Sequence, residues 1–343
     1  MPTMKDIAKT AGVATGTVSN YFNNASLVAE DTRKAIQKAI QDLDYHPNAA
    51  ARSLKTNTTR RIGLVPLISL EDNHSPDPGD YAFLEFLSGV NTGSAELGYD
   101  LLLSTATGPA KELGIYKRLI REHQVDGLIL MGVRDNDERV RFLSDLKAPF
   151  ITYGRSNIDL DYAYVDVDGA AGLVAAVNYL AGLGHTRIAY ITPPAGLALS
   201  AQRWEGFLKA MEDNYLPISP ELIQRGGFTE KDGQTAMFHL LELPEPPTAV
   251  LTANDLCAYG AIFALQARGK EAGKDVSVIG FDNIGLSAHS QPPLTTIAQP
   301  FRQIGIQCAN LLIQMINGQD KLPHKTISPY LIVRSTTGPA VPA

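Results

Sequence analysis

The stretch "DIAKTAGVATGTVSNYFN", residues 6–23, reads as two short helices broken by one glycine. Thr3, followed three residues later by Asp6, is a helix-start pattern in which a hydroxyl and a carboxylate satisfy free backbone N–H groups. Ile7, Ala8 and Ala11 then fall on one face, and Gly12 supplies the left-handed residue that ends the helix. A second helix beginning near Thr15 is expected to place Val18 and Phe22 inward. A third, from Thr32 to Leu43, carries Ile36, Ala39, Ile40 and Leu43 at helical spacing. Three short helices around Ile7, Val13, Val18, Ile36 and Ile40, the first two joined by a tight turn, match helix-turn-helix geometry, in which the second helix enters the DNA major groove. A generic helical hairpin would show the same apolar pattern.

Charge bears on that choice. The 343 residues carry a formal net charge of -6, which gives no hint of a nucleic-acid binder. Residues 1–60, however, hold eight Lys or Arg against five acids and stand at +3, leaving the remainder at -9. A basic module attached to an acidic body is one cue for nucleic-acid binding. At 44% hydrophobic content the chain can bury the cores of two or three domains. Cys257 and Cys308 form no CxxC or other metal-ligand spacing, so they are expected to be buried free thiols in a reducing compartment. There is neither an apolar h-region at the N-terminus nor a run of about 18 apolar residues. A soluble, cytoplasmic protein with no membrane partner is expected.

The next residues, "HPNAAARSLK" (46–55), add Pro47 and Asn48 as a helix start, followed by three alanines, Arg52, Leu54 and Lys55. The run from Met4 to Lys55, with "VAEDTRKAIQKAIQDLDYHPNAAARSLK" and the "RIGLV" that follows at 61–65, resembles the DNA-binding headpiece of the LacI/GalR family of bacterial transcription regulators. The resemblance implies a headpiece over 1–47, a hinge helix and linker over 48–60, and a two-lobed effector-binding and dimerisation core over 61–343. It implies that Thr15, Gly16 and Asn20 take the base-reading positions, where an asparagine can pair with adenine N6 and N7. Thr17, Ser19 and Asn23 are placed to set register on phosphates. In the hinge, Asn48, Ala51, Arg52, Leu54 and Lys55 fall on the minor-groove segment, with Leu54 as the wedge that kinks the central base step. This family would bind double-stranded operator DNA as a homodimer.

From residue 61 onward, apolar runs alternate with helical patterns. "IGLVPLI", "DLLLST", "DGLILMG", "PFITYG", "RIAYIT", "TAVLTA" and "VSVIGFD" read as strands, with helices near 83–97, 110–123, 169–183, 201–214, 232–241 and 254–268. That alternation implies an α/β fold of doubly wound parallel sheets, with room for two lobes. Ligands of such sheets bind beyond the carboxyl ends of the strands. "SAQRWEGF", "TANDLCAYGA", "GFDNIG" and "PPLTTIAQPFRQIG" resemble the family's effector-binding core, which is similar to periplasmic sugar-binding proteins. The resemblance implies effector contacts from Arg203, Asn254 and Asp282, an aromatic wall at Phe228, and further pocket positions at Phe83, Tyr153 and Gln299. Charged and amide groups with aromatic faces suit a sugar. The expected function is a repressor of a carbohydrate-utilisation operon relieved by a sugar, the alternative being a co-repressor or a nucleobase or nucleoside effector.

Two segments depart from the family pattern. "SLEDNHSPDPGDYAF" (69–83) is long and acidic, and "TYGRSN" (152–157) has Gly154 and Arg155 where many relatives place an aspartate. Enzyme readings fare poorly. "GLSAH" (285–289) misses the GxSxG elbow, "GKEAGKD" (269–275) lacks the P-loop spacing, and the histidines form no HExxH pair. No catalytic residue, metal or cofactor is expected. A transport binding protein would share the lobes but would have no use for residues 1–60.

Overall fold

The computed structural model describes residues 2–45, 58–67, 81–319 and 321–341. The chain divides into two compact units, Met1–Thr59 and Arg60–Ala343.

The first unit holds α1 (Met4–Ala11), α2 (Thr15–Asn23) and α3 (Glu30–Asp42), the last beginning two residues before its expected start. Both the N–H and the hydroxyl of Thr3 donate to Asp6 Oδ2 at 2.7 Å, closing the start of α1 as the sequence pattern requires. Gly12 ends it at φ 67°, in the left-handed region where a Cβ is penalised. Ile7, Ala8, Val18, Val28, Ile36 and Ala39 are buried together, with Val13 and Ile40 packed around them. Phe22 corrects one expectation: it is 37% exposed, because α2 turns Val18 into the core and leaves Phe22 at the rim beside Tyr21 and Tyr45. The hinge positions Asn48, Ala51, Arg52, Leu54 and Lys55 lie outside the described residues.

The second unit contains two six-stranded sheets. The strands are β1 (Arg61–Leu64), β2 (Asp100–Leu103), β3 (Gly127–Leu130), β4 (Phe150–Tyr153), β5 (Ala163–Val167), β6 (Ile188–Thr192), β7 (Ile223–Arg225), β8 (Ala249–Leu251), β9 (Ser277–Asp282), β10 (Thr295–Ala298), β11 (His324–Ile327) and β12 (Tyr330–Ile332). One lobe has the order β11-β5-β4-β3-β1-β2, with every pairing parallel. The other has the order β12-β10-β9-β8-β6-β7, and only its β10–β12 pair is antiparallel. Burial on both faces of a parallel sheet explains why so many strands read as unbroken apolar runs.

Helices α4 (Tyr81–Glu96), α5 (Pro109–Arg121), α6 (Glu138–Asp145) and α11 (Phe301–Ile316) cover the first sheet. Helices α7 (Gly169–Gly182), α8 (Ala198–Asp213), α9 (Glu230–Leu241) and α10 (Asp255–Ala267) cover the second. Helices α4 and α11 cross at Gly89, where a Cβ would come within 2.0 Å of the Arg302 carbonyl, so only glycine permits this approach. The chain passes between lobes three times: after β5, after β10, and between β11 and β12. Cys257 and Cys308 are buried free thiols, and burial pushes the Cys257 thiol up to about 12. No helix among the described residues is long and apolar enough to cross a membrane.

Candidate functional site

In the first unit, the α2 positions Thr15, Gly16 and Asn20 are exposed, while Thr17 and Ser19 are half-buried on either side of Val18. A helix packed through Val18 leaves its opposite stripe free to meet a groove. Asn23 ends the same helix.

In the second unit the carboxyl ends of the strands deliver polar side chains into one neighbourhood. Tyr153, the last residue of β4, donates its hydroxyl to Gln299 Oε1 at 3.0 Å, and Gln299 Nε2 donates to Asp282 Oδ1 at 2.7 Å. Tyr153 belongs to one lobe, Asp282 ends β9 in the other, and Gln299 stands in the crossover after β10. This three-residue chain therefore spans the lobes at a covalent link. Burial pushes the Tyr153 phenol well above its usual 10, the Asp282 charge pushes the same way, and Arg203 opposes both. Asp282 adopts φ 122°, a strained value for a residue with a Cβ, and Asn283 follows at φ 58°. Asp255 supports this turn from below: its buried carboxylate accepts the Ile284 N–H at 2.9 Å and the hydroxyls of Ser287 and Thr296. Burial raises Asp255 to about 6 despite those bonds.

Arg203, in α8, is 6% exposed. Its Nη1 donates to the Ala253 carbonyl at 2.8 Å and its guanidinium lies 3.5 Å from the centroid of the Phe281 ring. Its Nε is buried with no hydrogen-bond partner among the described residues. Asn254 adjoins that carbonyl; it caps α10 by accepting the Cys257 N–H at 2.8 Å, and its Nδ2 donates to the Phe228 carbonyl at 2.9 Å. Arg203 and Asn254 thus meet around Ala253, with Asn254 reaching only the backbone carbonyl of Phe228, while Tyr153, Gln299 and Asp282 form a second chain of contacts. Phe83 is tied to them only through the apolar cluster it shares with Tyr153 and Phe301. A cavity of about 470 Å³ opens beside the crossover, bounded by Tyr81, Glu85, Asn283, Gln299, Phe301 and Arg302. Most of the acidic 69–83 segment lies outside the described residues.

The sequence did not single out Asp166, at the end of β5. It is 7% exposed, and its Oδ2 accepts Gln202 Nε2 from the other lobe at 3.2 Å, with Arg155 Nε 3.9 Å away. Burial raises its carboxyl above the ordinary range. A carboxylate three residues before the next helix start was the available signal. Among the described residues no group of three or more His, Cys, Asp and Glu could hold a metal.

Comparison with known proteins adds the lineage. Residues 3–48 match the model of "Bacterial regulatory proteins, lacI family", and residues 177–337 match a periplasmic binding protein-like domain. The HTH-type transcriptional repressor PurR of Histophilus somni is 34% identical over 341 residues, covering 98% of this chain and 99% of that protein. The chain belongs to the LacI family of bacterial regulatory proteins. The repressor CytR of Escherichia coli is 35% identical over 318 residues, covering 92% of this chain and 90% of that one. Among solved structures, the lac repressor dimer bound to operator and the anti-inducer ONPF aligns with a TM-score of 0.86 at 27% identity, covering 98% of this chain and 99% of that one. This LacI-family chain therefore has the family's fold, with helix-turn-helix helices followed by a two-lobed core, over almost its whole length.

Proposed function

We propose that the protein is a transcriptional repressor that binds operator DNA as a homodimer and is switched by a small hydroxylated effector held between its lobes. The observation that carries the effector half is Arg203: a buried guanidinium whose Nε has no hydrogen-bond partner among the described residues, bonded to the Ala253 carbonyl next to Asn254 and lying over the Phe281 ring that precedes the strained Asp282. A buried donor left unpaired costs about 1–3 kcal/mol, more when charged, so a ligand oxygen at this point removes a penalty that the protein alone bears. Carboxylate, amide and guanidinium groups around aromatic rings match vicinal hydroxyls, which supports a sugar effector. The second reading is a nucleobase or nucleoside, whose polar ring edge the same amide, carboxylate and guanidinium groups also match. A thermal-shift screen of sugars, nucleobases and nucleosides, followed by operator binding with each hit, separates the two. Stabilisation by none of them would remove the effector reading. A regulator of this kind acts where the chromosome lies, which supports a cytoplasmic setting, and its relatives' role as repressors supports a binding rather than a catalytic protein.

The DNA half rests on the exposed stripe of α2. Asn20→Ala is expected to weaken binding to a cognate operator by about 1–3 kcal/mol, the worth of one bidentate base contact, while relaxing preference at one base pair. Binding to random DNA should stay the same. Fluorescence anisotropy on both duplexes checks this, and equal weakening on both would make Asn20 a backbone contact instead.

Dimerisation is assigned to the outer face of α4 and the edge strand β2. Leu84 and Leu103 are 46% and 45% exposed there, next to Leu87 and Leu101. An open edge beside an apolar stripe invites pairing, and the dimer in the lac repressor structure supports a second copy as the occupant. Leu84→Glu is expected to shift the protein from dimer to monomer at micromolar concentration in analytical ultracentrifugation. A dimer of unchanged strength would place the interface elsewhere.

A further inference from the structure

We propose that the loop after β3 and the start of α8 form a main-chain clasp across the cleft, preset by a buried ion cluster, and that this clasp sets the resting balance between closed and open lobes. The proposal rests on the cleft reading above only for what closure serves.

The clasp joins residues 131–137 of one lobe to residues 193–198 of the other. The Ala198 N–H donates to the Val133 carbonyl at 3.0 Å, the Asp135 N–H donates to the Gly196 carbonyl at 3.1 Å, and Arg134 pairs with Leu197 as an isolated antiparallel bridge. Val133 and Ala198 are 4% and 5% exposed. The strands that deliver these loops, β3 and β6, carry none of the three covalent crossovers, so the clasp is a separate and breakable tie. One helical turn beyond Ala198, Gln202 makes its bond to Asp166 of the facing lobe.

What distinguishes the clasp from a chance contact is how firmly one half is held. Arg139, 2% exposed, donates Nη1 to the Met131 carbonyl at 3.1 Å and Nη2 to the Gly132 carbonyl at 2.9 Å. It is itself gripped by Asp137 at 2.6 Å and Glu112 at 2.5 Å. Asp137 Oδ2 also accepts the Arg134 N–H at 3.0 Å, and Glu112 accepts Arg134 Nη2 at 2.6 Å. Ser156 Oγ donates to the Arg134 carbonyl, and Asn157 Oδ1 accepts the Asn136 N–H, both at 2.8 Å. A trio of apolar side chains could fill the same space at no greater cost, but it could not hold two loop carbonyls in fixed directions. The ion cluster therefore acts by positioning: it aims the Val133 carbonyl and the Asp135 N–H at the other lobe.

The test needs no small molecule, which separates it from the effector reading. Ala198 is the first residue of α8 and Leu197 before it is extended at φ -87°, ψ 136°, a setting that tolerates proline. Ala198→Pro removes the donor and sets a ring carbon against the Val133 carbonyl, whereas Ala198→Ser keeps the bond. Amide hydrogen exchange on the full-length protein is expected to rise at least tenfold for 131–137 and 193–200 in Ala198→Pro, with little change elsewhere and none in Ala198→Ser. Small-angle scattering should show a larger radius of gyration for the proline variant. Arg139→Lys, which keeps the charge but loses the fork, should loosen the same two loops and serves if the proline variant fails to fold. Unchanged exchange in both loops, or faster exchange spread evenly through both sheets, would overturn the proposal.

Discussion

Arg139→Ala is expected to destabilise the two-lobed core by about 3–5 kcal/mol, the largest effect of any single substitution argued for this protein. The side chain is almost fully buried, and so are both its partners, Asp137 and Glu112. Deleting the guanidinium leaves two buried carboxylates, of which Glu112 keeps Arg134 and Asp137 keeps only backbone N–H partners, along with the carbonyls of Met131 and Gly132. Removing one member of such a cluster costs far more than the cluster is worth as a whole, because the remaining charges stay buried. Replacing all three by Arg139→Met, Glu112→Leu and Asp137→Asn should therefore recover much of the loss while leaving the clasp loop poorly aimed.

Acid should reproduce part of the effect in the unmodified protein. Burial alone would raise Asp137, but the hydrogen bonds and charge of Arg139 outweigh it and hold the carboxyl below its ordinary 3.8. A depressed carboxylate adds stability that is present above the unfolded value and is lost as pH falls through the folded one. The loss from Asp137 accordingly belongs below about pH 4. Urea unfolding at pH 7 and across that acid range measures both. A loss under about 1 kcal/mol for Arg139→Ala would mean that water reaches the cluster and that the charges are not desolvated.

The position of Arg139 shows where a sequence reading of this protein stops. "ERVRFLSD" looks like a solvated charged helix; Asp137 lies just two residues before Arg139, but the partner that buries one arginine and not Arg141, Glu112, is brought in only by folding. The headpiece was legible because its signals are local: Gly12, the Thr3 and Asp6 pair, and a 3.6-residue apolar period. The seven apolar runs were legible as strands for the same reason. Other strands were hidden by composition. Tyr164 and Asp166 interrupt β5, yet Asp166 is buried because Gln202 meets it from the other lobe. Two threonines open β10, and β11 and β12 are short edge strands after the last helix, with His324 and Tyr330 at their exposed starts. Nor does any local pattern announce that the chain returns to the first lobe after β10. Two of the candidate site positions stood out locally, since Asn254 and Asp282 are polar residues at the ends of apolar runs, where doubly wound sheets put their ligand groups, whereas Arg203 lies inside α8, well beyond β6.

Those same residues carry the second large expected effect. Arg203→Ala is expected to leave operator affinity within about twofold while raising the effector concentration for half-response at least tenfold, equivalent to about 1.4 kcal/mol. The aliphatic stem of Arg203 fills space that Gly169 makes available: a Cβ on that glycine would lie 2.9 Å from Arg203 Cγ. The guanidinium holds the Ala253 carbonyl beside Asn254 and lies over Phe281, the neighbour of Asp282. Truncation removes the cation over Phe281 and the donor that meets the Ala253 carbonyl, and on the proposed function it also takes a donor from the effector, each lost bond costing about 1–3 kcal/mol. Arg203→Lys keeps the charge but not the planar fork, so its response should fall between the two. Asp282→Asn tests a second position of the same lobe while preserving an acceptor for Gln299 Nε2. Operator release, or operator capture if the effector is a co-repressor, is followed by anisotropy against the compound that emerges from the thermal-shift screen. Wild-type response in both Arg203→Ala and Asp282→Asn would place the effector outside this cleft while leaving the DNA-binding assignment standing. Loss of operator binding in the absence of effector would instead mean that Arg203 supports the fold, and urea unfolding of the same variant would show a matching loss of stability.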